Sequence, residues 1–257
     1  MNLGLDNKSV LVTGGSKGIG LSIARIFANE GACVTIAGRN EADLATAEAT
    51  ILADGNTATA ITADLATDHE RQRLFDQLGD IDILVNNAGA IKGGGIADLS
   101  MQDWRDGWDL KVYGYIHLCK LFVEAMKARR KGAIINIIGL GGRHTTPGYI
   151  CGAAGNAALI GFTQALGAET PDYNVRVFGI NPSPTLTTRM IDMLKGRAER
   201  ELGDVTKWEE FLDPTRYPFG RMQTPDEIGS LAVMLASDRV QYLSGTVVDS
   251  SGGGQWK

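Results

Sequence analysis

Residues 9–20 read Ser9-Val10-Leu11-Val12-Thr13-Gly14-Gly15-Ser16-Lys17-Gly18-Ile19-Gly20. A short apolar run leads into a glycine-rich turn, and an amphipathic helical pattern comes directly after it. Strand, turn and helix N-terminus in that order aim backbone N–H groups and the positive end of the helix dipole at one point, which suits the pyrophosphate of a dinucleotide. Gly14 allows the tight turn, Gly18 lets the backbone approach the phosphates, and Gly20 lets helix and strand pack closely. Gly14, Ser16, Lys17, Gly18, Ile19 and Gly20 are therefore candidate cofactor-binding residues.

Outward from this stretch, β-branched runs alternate with longer amphipathic segments. Strands are expected at 8–13, 33–37, 57–63, 81–86, 133–138, 175–180 and 246–249. Helices are expected at about 19–30, 41–54, 68–78, 102–130, 152–169, 188–202 and 225–236. Such alternation implies right-handed βαβ crossovers and a buried parallel sheet of about seven strands with helices on both faces. The expectation is a single-domain, Rossmann-type doubly wound α/β fold over residues 1–257. The stretch 183–221, rich in Thr, Pro and charge, is expected to contain a mobile substrate lid at about 186–220.

Composition narrows the class. The chain has 257 residues, 44% hydrophobic and 21% charged, with a net charge of −5, which is ordinary for a globular protein and argues against nucleic acid as a partner. Arg129-Arg130-Lys131, the nearest approach to a basic run, reads as a helix C-terminus facing water. Cys33, Cys119 and Cys151 match no metal spacing, so no metal site is expected. No signal peptide is evident and no apolar stretch is expected to span a membrane, which gives a cytoplasmic expectation with no membrane partner.

After the second strand the chain reads Ala37-Gly38-Arg39-Asn40. An NAD-type site places an acidic residue here for the ribose 2′-OH. Arg39, with Lys17 in the phosphate turn, instead favours NADP(H) over NAD(H), because charge-assisted bonds to a 2′-phosphate contribute about 1.5–3 kcal/mol each. Asp64-Leu65 ends the third strand, where a carboxylate could bond the adenine amino group or cap the helix that begins at 68. Ile83-Leu84-Val85-Asn86-Asn87-Ala88-Gly89 is a buried strand ending in amide and small residues, and Asn87, Ala88 and Gly89 join the candidates.

The two motifs together, Thr-Gly-x-x-x-Gly-x-Gly at 13–20 and Asn-Asn-Ala-Gly at 86–89, resemble the short-chain dehydrogenase/reductase family. The resemblance extends over nearly the whole chain through Arg221-Met222, Pro225, Glu227-Ile228 and Tyr242-Leu243-Ser244-Gly245. Pro182-Ser183-Pro184 with Thr187 is similar to that family's nicotinamide-side loop, with Ser183 in place of a glycine. The resemblance implies a nicotinamide cofactor, binding by Pro182 and Thr187, oxidoreductase activity on a small molecule, and a homo-oligomer, dimer or tetramer, built on the helices near 102–130 and 152–169.

The family's usual chemistry uses a tyrosine acid/base, a lysine four residues later, a serine and an asparagine. An unperturbed tyrosine, with a pKa near about 10, needs a neighbouring cation to act at neutral pH. Register fixed by Ile134-Ile135-Asn136-Ile137 and Ala157-Ala158-Leu159-Ile160-Gly161 places the serine on Gly139, the tyrosine on Gly152 and the lysine on Asn156. The asparagine falls on Lys111. Three readings compete. In the first, a redox enzyme reduces a small carbonyl or conjugated C=C bond with relocated groups: Lys111 and Asn156 exchanged between facing helices, Tyr149 turned into the space Gly152 leaves, and His144 as a proton shuttle. In the second, the chain is a catalytically silent NADP(H)-binding partner subunit. In the third, it is a non-redox lyase, hydratase or isomerase on the same fold. Trp104, Trp108, Tyr113 and Tyr149 suggest an apolar or aromatic substrate, although core packing explains the tryptophans equally well. Cys151 reads as a packing residue, and Gly93-Gly94-Gly95 as a flexible loop by the pocket mouth.

Overall fold

The structure, a computed structural model, describes residues 1–254. Seven parallel strands form one sheet in the order β3-β2-β1-β4-β5-β6-β7. They are β1 (Ser9–Thr13), β2 (Cys33–Gly38), β3 (Ala58–Thr62), β4 (Ile83–Asn86), β5 (Gly132–Ile137), β6 (Val175–Pro182) and β7 (Thr246–Ser250). Strand order reverses between β1 and β4, and a ligand crevice opens there beyond the strands' carboxyl ends. Eight α-helices connect the strands: α1 (Gly18–Asn29), α2 (Glu41–Ala53), α3 (Asp68–Leu78), α4 (Met101–Trp108), α5 (Gly114–Arg129), α6 (Ile150–Glu169), α7 (Thr188–Leu202) and α8 (Pro225–Ala236).

The apolar runs form strands because both sheet faces are covered. Val10, Val12, Ile36, Val85 and Ile135 pack on one face against Ile23 and Phe27 of α1 and Ile228 and Ala232 of α8. Leu11, Leu84, Ile134 and Val177 pack on the other against Leu74 of α3 and Leu118, Phe122 and Met126 of α5. Alternate residues of one strand thus feed two separate cores, which explains continuous hydrophobic runs in place of polar alternation. The expected strand limits agree with the observed ones to within two residues.

One helix differs from expectation. The segment 102–130 is interrupted by a π-helical turn at Asp109–Tyr113, between α4 and α5. Such a turn inserts an extra residue into the helical ladder and rotates the next helix, α5, about its axis. Lys111 sits in the middle of the turn. Buried Arg71 of α3 holds the turn from outside, donating to the Asp109 carbonyl (3.1 Å) and to the Leu65 carbonyl (2.5 Å).

Three further expectations are refined: a helix cap is reassigned, the cationic end of α5 is exposed at Arg130 and Lys131 but also tethered, and one helix is more apolar than read. The helix beginning at 68 is capped by Thr67, which accepts from the Glu70 N–H at 3.3 Å, while Asp64 closes a local turn by accepting from Ala66. Arg129 donates to the Ile81 carbonyl (2.6 Å) and Lys131 pairs with Asp82 (2.7 Å), so these cations tie the end of α5 to the approach to β4. Helix α6 is long and apolar enough by length and composition to cross a membrane, contrary to the sequence reading. In the fold its Leu159, Thr163 and Gly167 are buried, and a Cβ on Gly167 would come within 3.1 Å of the Val177 carbonyl of β6.

Candidate functional site

A cleft of about 1110 Å³ opens over the carboxyl ends of β1, β4, β5 and β6. Its floor is the turn between β1 and α1. Gly14 has φ +62°, and a Cβ on Gly20 would fall 2.1 Å from the Gly14 carbonyl oxygen, so glycine is required for this approach. Asn87 holds the turn by donating its amide to the Thr13 carbonyl (3.0 Å) and the Gly14 carbonyl (3.1 Å). The Thr13 hydroxyl in turn accepts from the N–H groups of Asn87 and Ala88. No side chain caps the first turn of α1, and Gly18, Ile19 and Gly20 all line the cleft. That is the form of an anion cradle.

A side cavity of about 220 Å³ is lined by Ser16, Arg39, Asn40, Leu65, Ala88 and Gly89. Arg39 is exposed at its edge and has no hydrogen bond or ion pair among the described residues. Lys17 differs, because its ammonium pairs with Asp43 at 2.8 Å. Asp64 is exposed and lies outside this lining, whereas Leu65 is within it. Pro182 and Thr187 line the opposite side of the main cleft. Thr187 also caps α7, and its methyl would lie 3.2 Å from a Cβ on Gly18, which brings the loop after β6 directly over the phosphate turn.

Lys111, Tyr149 and Asn156 converge on the inner end of the cleft. The Lys111 ammonium donates to the Ile138 carbonyl just past β5. Next to it, the Tyr115 hydroxyl donates to the Ile137 carbonyl at 2.9 Å. Burial, assisted by the positive charge of Arg189, draws the Lys111 pKa down from 10.5 to about 8. Tyr149 precedes α6 and its ring lies over Gly152: a Cβ there would fall 2.0 Å from Cζ and 2.5 Å from the hydroxyl. Burial pushes this phenol upward, with Arg189 opposing the shift. Asn156 is fully buried, and its Oδ1 has no hydrogen-bond partner among the described residues. Its Nδ2 lies 2.9 Å from where a Cβ on Gly139 would stand, and Gly139 has φ +129°. A side chain at 139 would therefore meet both steric and backbone strain.

Other candidates fall elsewhere. His144 is exposed and outside the cleft lining. Trp104 and Trp108 pack with Ile91, Leu99 and Cys151 behind the cleft wall, and Trp108 donates to the Cys151 carbonyl at 3.3 Å. Tyr113 is exposed away from the cleft, so of the four aromatics only Tyr149 lines it. Burial raises the Cys151 thiol pKa, in keeping with a packing role. The glycine loop at 93–95 is tied down, because Gly94 bridges to Tyr149 and donates to the Gly148 carbonyl at 2.8 Å. No group of three or more potential metal-ligating side chains occurs among the described residues. Sequence reasoning missed Arg189, Met190 and Met193, which α7 presents to the cleft. Their signal was position, in the first two turns of the helix after the loop at 182–187.

The residues present fit a dinucleotide. The cradle excludes side chains, and among the described residues the α1 N-terminus has no side-chain cap and a buried amide oxygen beside the inner cleft has no partner. Comparison with known proteins is consistent with this geometry. A family model described as short chain dehydrogenase matches residues 8–198. A 3-oxoacyl-[acyl-carrier-protein] reductase FabG of Chlamydia muridarum is 36% identical over 98% of this chain and 99% of its own. A D-beta-hydroxybutyrate dehydrogenase of Cupriavidus necator is 30% identical over 97% of this chain and 98% of its own. The crystal structure of L-sorbose reductase from Gluconobacter frateurii, complexed with NADPH and L-sorbose, superposes with a TM-score of 0.92 at 29% identity over 100% of both chains. With its glycine turn, its Asn-Asn-Ala-Gly strand end and its sheet order, the chain belongs to the short chain dehydrogenase family.

Proposed function

We propose that this protein is an NADPH-dependent reductase of a carbonyl substrate, and that Lys111 supplies the proton. The carrying observation is the Lys111 ammonium at the inner end of the cleft, with its pKa drawn to about 8. Reductases of 3-oxoacyl and sugar substrates among the relatives support the reaction class. Glycines at 139 and 152 and asparagine at 156 support a site that departs from the family's usual serine, tyrosine and lysine.

The bound cofactor would supply hydride to the substrate carbonyl carbon. The Gly14–Gly20 turn would hold its pyrophosphate, Arg39 a 2′-phosphate, Asn156 a ribose hydroxyl, and Pro182 and Thr187 the nicotinamide side. As the carbonyl π bond breaks, its oxygen takes a proton from the Lys111 ammonium, and the amine left behind is reprotonated from solvent. An acid with a pKa near the working pH serves this step best. Tyr149, whose phenol is shifted upward, stays protonated and donates a hydrogen bond that orients the oxygen. The segment 186–220 would close over bound ligands, and self-association as a dimer or tetramer would use the outer faces of α5 and α6.

The test is NADPH consumption by the wild type and Lys111→Met on a panel of ketones, quinones and enoyl thioesters. Turnover of a ketone that collapses in the variant is expected. NADPH binding without turnover of any substrate would overturn the proposal and favour a silent partner subunit or a non-redox enzyme.

A further inference from the structure

A cavity of about 330 Å³ adjoins the inner cleft, walled by Lys111, Tyr149 and Arg189 together with Ile91, Met190 and Met193. Among the described residues two of its side chains are cationic and none is acidic; Asp192, an exposed residue of α7, lines the larger cleft. Arg189 is exposed at the rim and has no hydrogen bond or ion pair among the described residues. Lys111 stands deeper, anchored on the Ile138 carbonyl. The cations lie close enough for the Arg189 charge to depress the Lys111 pKa. Like charges facing one cavity repel, and an anion placed between or beside them relieves that repulsion.

Resting on the reductase reading above, we propose that the substrate is an oxo acid. Its carbonyl meets Lys111 and Tyr149 at the inner end, an apolar stem lies on Ile91, Met190 and Met193, and its carboxylate meets Arg189 at the rim. The guanidinium fork matches a carboxylate through two parallel hydrogen bonds, which an ammonium at that place could not supply. The thioethers adapt to stems of different length. Reduction converts the oxo acid to the hydroxy acid, with hydride on carbon and the Lys111 proton on oxygen, so the carboxylate is unchanged and serves only as a handle.

The experiment uses the full chain with saturating NADP⁺ and two probes matched in shape, 3-oxohexanoate and methyl 3-oxohexanoate. Calorimetry should show the acid binding at least tenfold tighter than the ester, and Arg189→Leu should shrink that ratio by tenfold or more, with Arg189→Lys intermediate. NADP⁺ affinity of Arg189→Leu is measured alongside. If Arg189→Leu weakens NADP⁺ and leaves the acid-to-ester ratio intact, Arg189 serves a cofactor phosphate and the proposal falls. Equal binding of acid and ester by the wild type also overturns it. Binding is read without turnover, so Arg189-dependent capture of the acid with no NADPH consumption would refute the reductase reading and leave the anion site standing. A second readout is the pH at which turnover declines. Tyr115 beside it, Arg189, Tyr149 and, across the wider cleft, Lys17 and Asp192 are the titratable or charged groups near Lys111 among the described residues, and an added carboxylate shifts its titration upward. The decline should therefore come at higher pH on the acid than on the ester.

Discussion

Replacing Lys111 by methionine separates catalysis from stability. In the folded protein the ammonium's pKa falls from 10.5 to about 8, so holding the charge there costs about 3 kcal/mol relative to water. Methionine keeps an unbranched stem and removes the charge, but leaves the Ile138 carbonyl without its donor, a loss of about 1–3 kcal/mol. K111M should thus be no less stable than the wild type at pH 7, and by up to about 2 kcal/mol more stable. The pH dependence is the sharper signature. The folded pKa lies below the unfolded one, so between about pH 8 and 10.5 the unfolded chain binds more protons, and wild-type stability rises with pH. The penalty is fully present below about pH 8 and fades above it. K111M lacks this titration, so its stability relative to the wild type should fall by about 2 kcal/mol between pH 7 and 9.5.

Urea denaturation of both proteins at the two pH values measures this difference directly, because all other titrations cancel in the comparison. Turnover should move the opposite way from stability. Loss of the proton donor lowers kcat by about 10²–10⁴, and the wild-type reduction rate should fall as pH rises through about 8, where the ammonium deprotonates. A stability difference independent of pH, or a variant that turns over at the wild-type rate, would refute the assignment of Lys111 as a half-buried, titrating acid.

Three other perturbations test the surrounding geometry. Arg39→Ala should weaken NADPH binding by about 10- to 100-fold, corresponding to one charge-assisted contact, while NADH binding measured by fluorescence titration stays constant. Gly152→Ala places a methyl group 2.0 Å from Tyr149 Cζ; it should displace the ring, cost about 1–3 kcal/mol in denaturation experiments, and lower kcat together with stability. Arg71→Met removes the donor to the Leu65 and Asp109 carbonyls and to His117 Nδ1. It should destabilise the fold by about 3 kcal/mol and raise the KM for NADPH, because the adenine-side loop and the π turn lose their shared anchor.

How far the sequence discloses this molecule depends on whether a residue acts through local pattern or through tertiary approach. Val10-Leu11-Val12 and Ile83-Leu84-Val85 are legible as buried strands because period and composition alone encode two covered faces. Gly14 and Gly20 are legible because a backbone turn admits few residue types. The π turn at 109–113 is not, since Asp109-Leu110-Lys111-Val112-Tyr113 carries no proline or glycine to signal it, and what steadies it is Arg71, 38 positions earlier than Asp109. Asp64 is ambiguous in sequence for a local reason: Thr67 offers a hydroxyl in the better cap position, one residue before α3. Lys17 is equivalent to Arg39 in sequence, and only the fold of α2 brings Asp43 within reach of one and not the other.

The inner site illustrates the same distinction in a form that constrains its chemistry. Tyr149 and Gly152 are three residues apart, and the ring occupies the volume that a side chain at 152 would need. A bulky residue at 152 and an inward ring at 149 are therefore mutually exclusive, so the site holds one aromatic and not two. Gly139 and Asn156 form a second such pair, with the amide 2.9 Å from the missing Cβ. Asn156 fills this space at the cost of a buried oxygen that has no partner among the described residues, which is about 1–3 kcal/mol unless something bonds to it. A fold retains such an oxygen at lower cost when a ligand hydroxyl supplies the missing donor. Position 156 carries no cation, and on the proposed reading Lys111 on the facing turn takes that role. There it reaches the end of β5, and Lys111, Tyr149 and Asn156 all line the inner cleft, where the proposed reduction would place the substrate oxygen. Of these groups only Lys111 has a pKa drawn toward neutrality. On the proposed reading, proton transfer therefore falls to the lysine and the tyrosine donates a hydrogen bond.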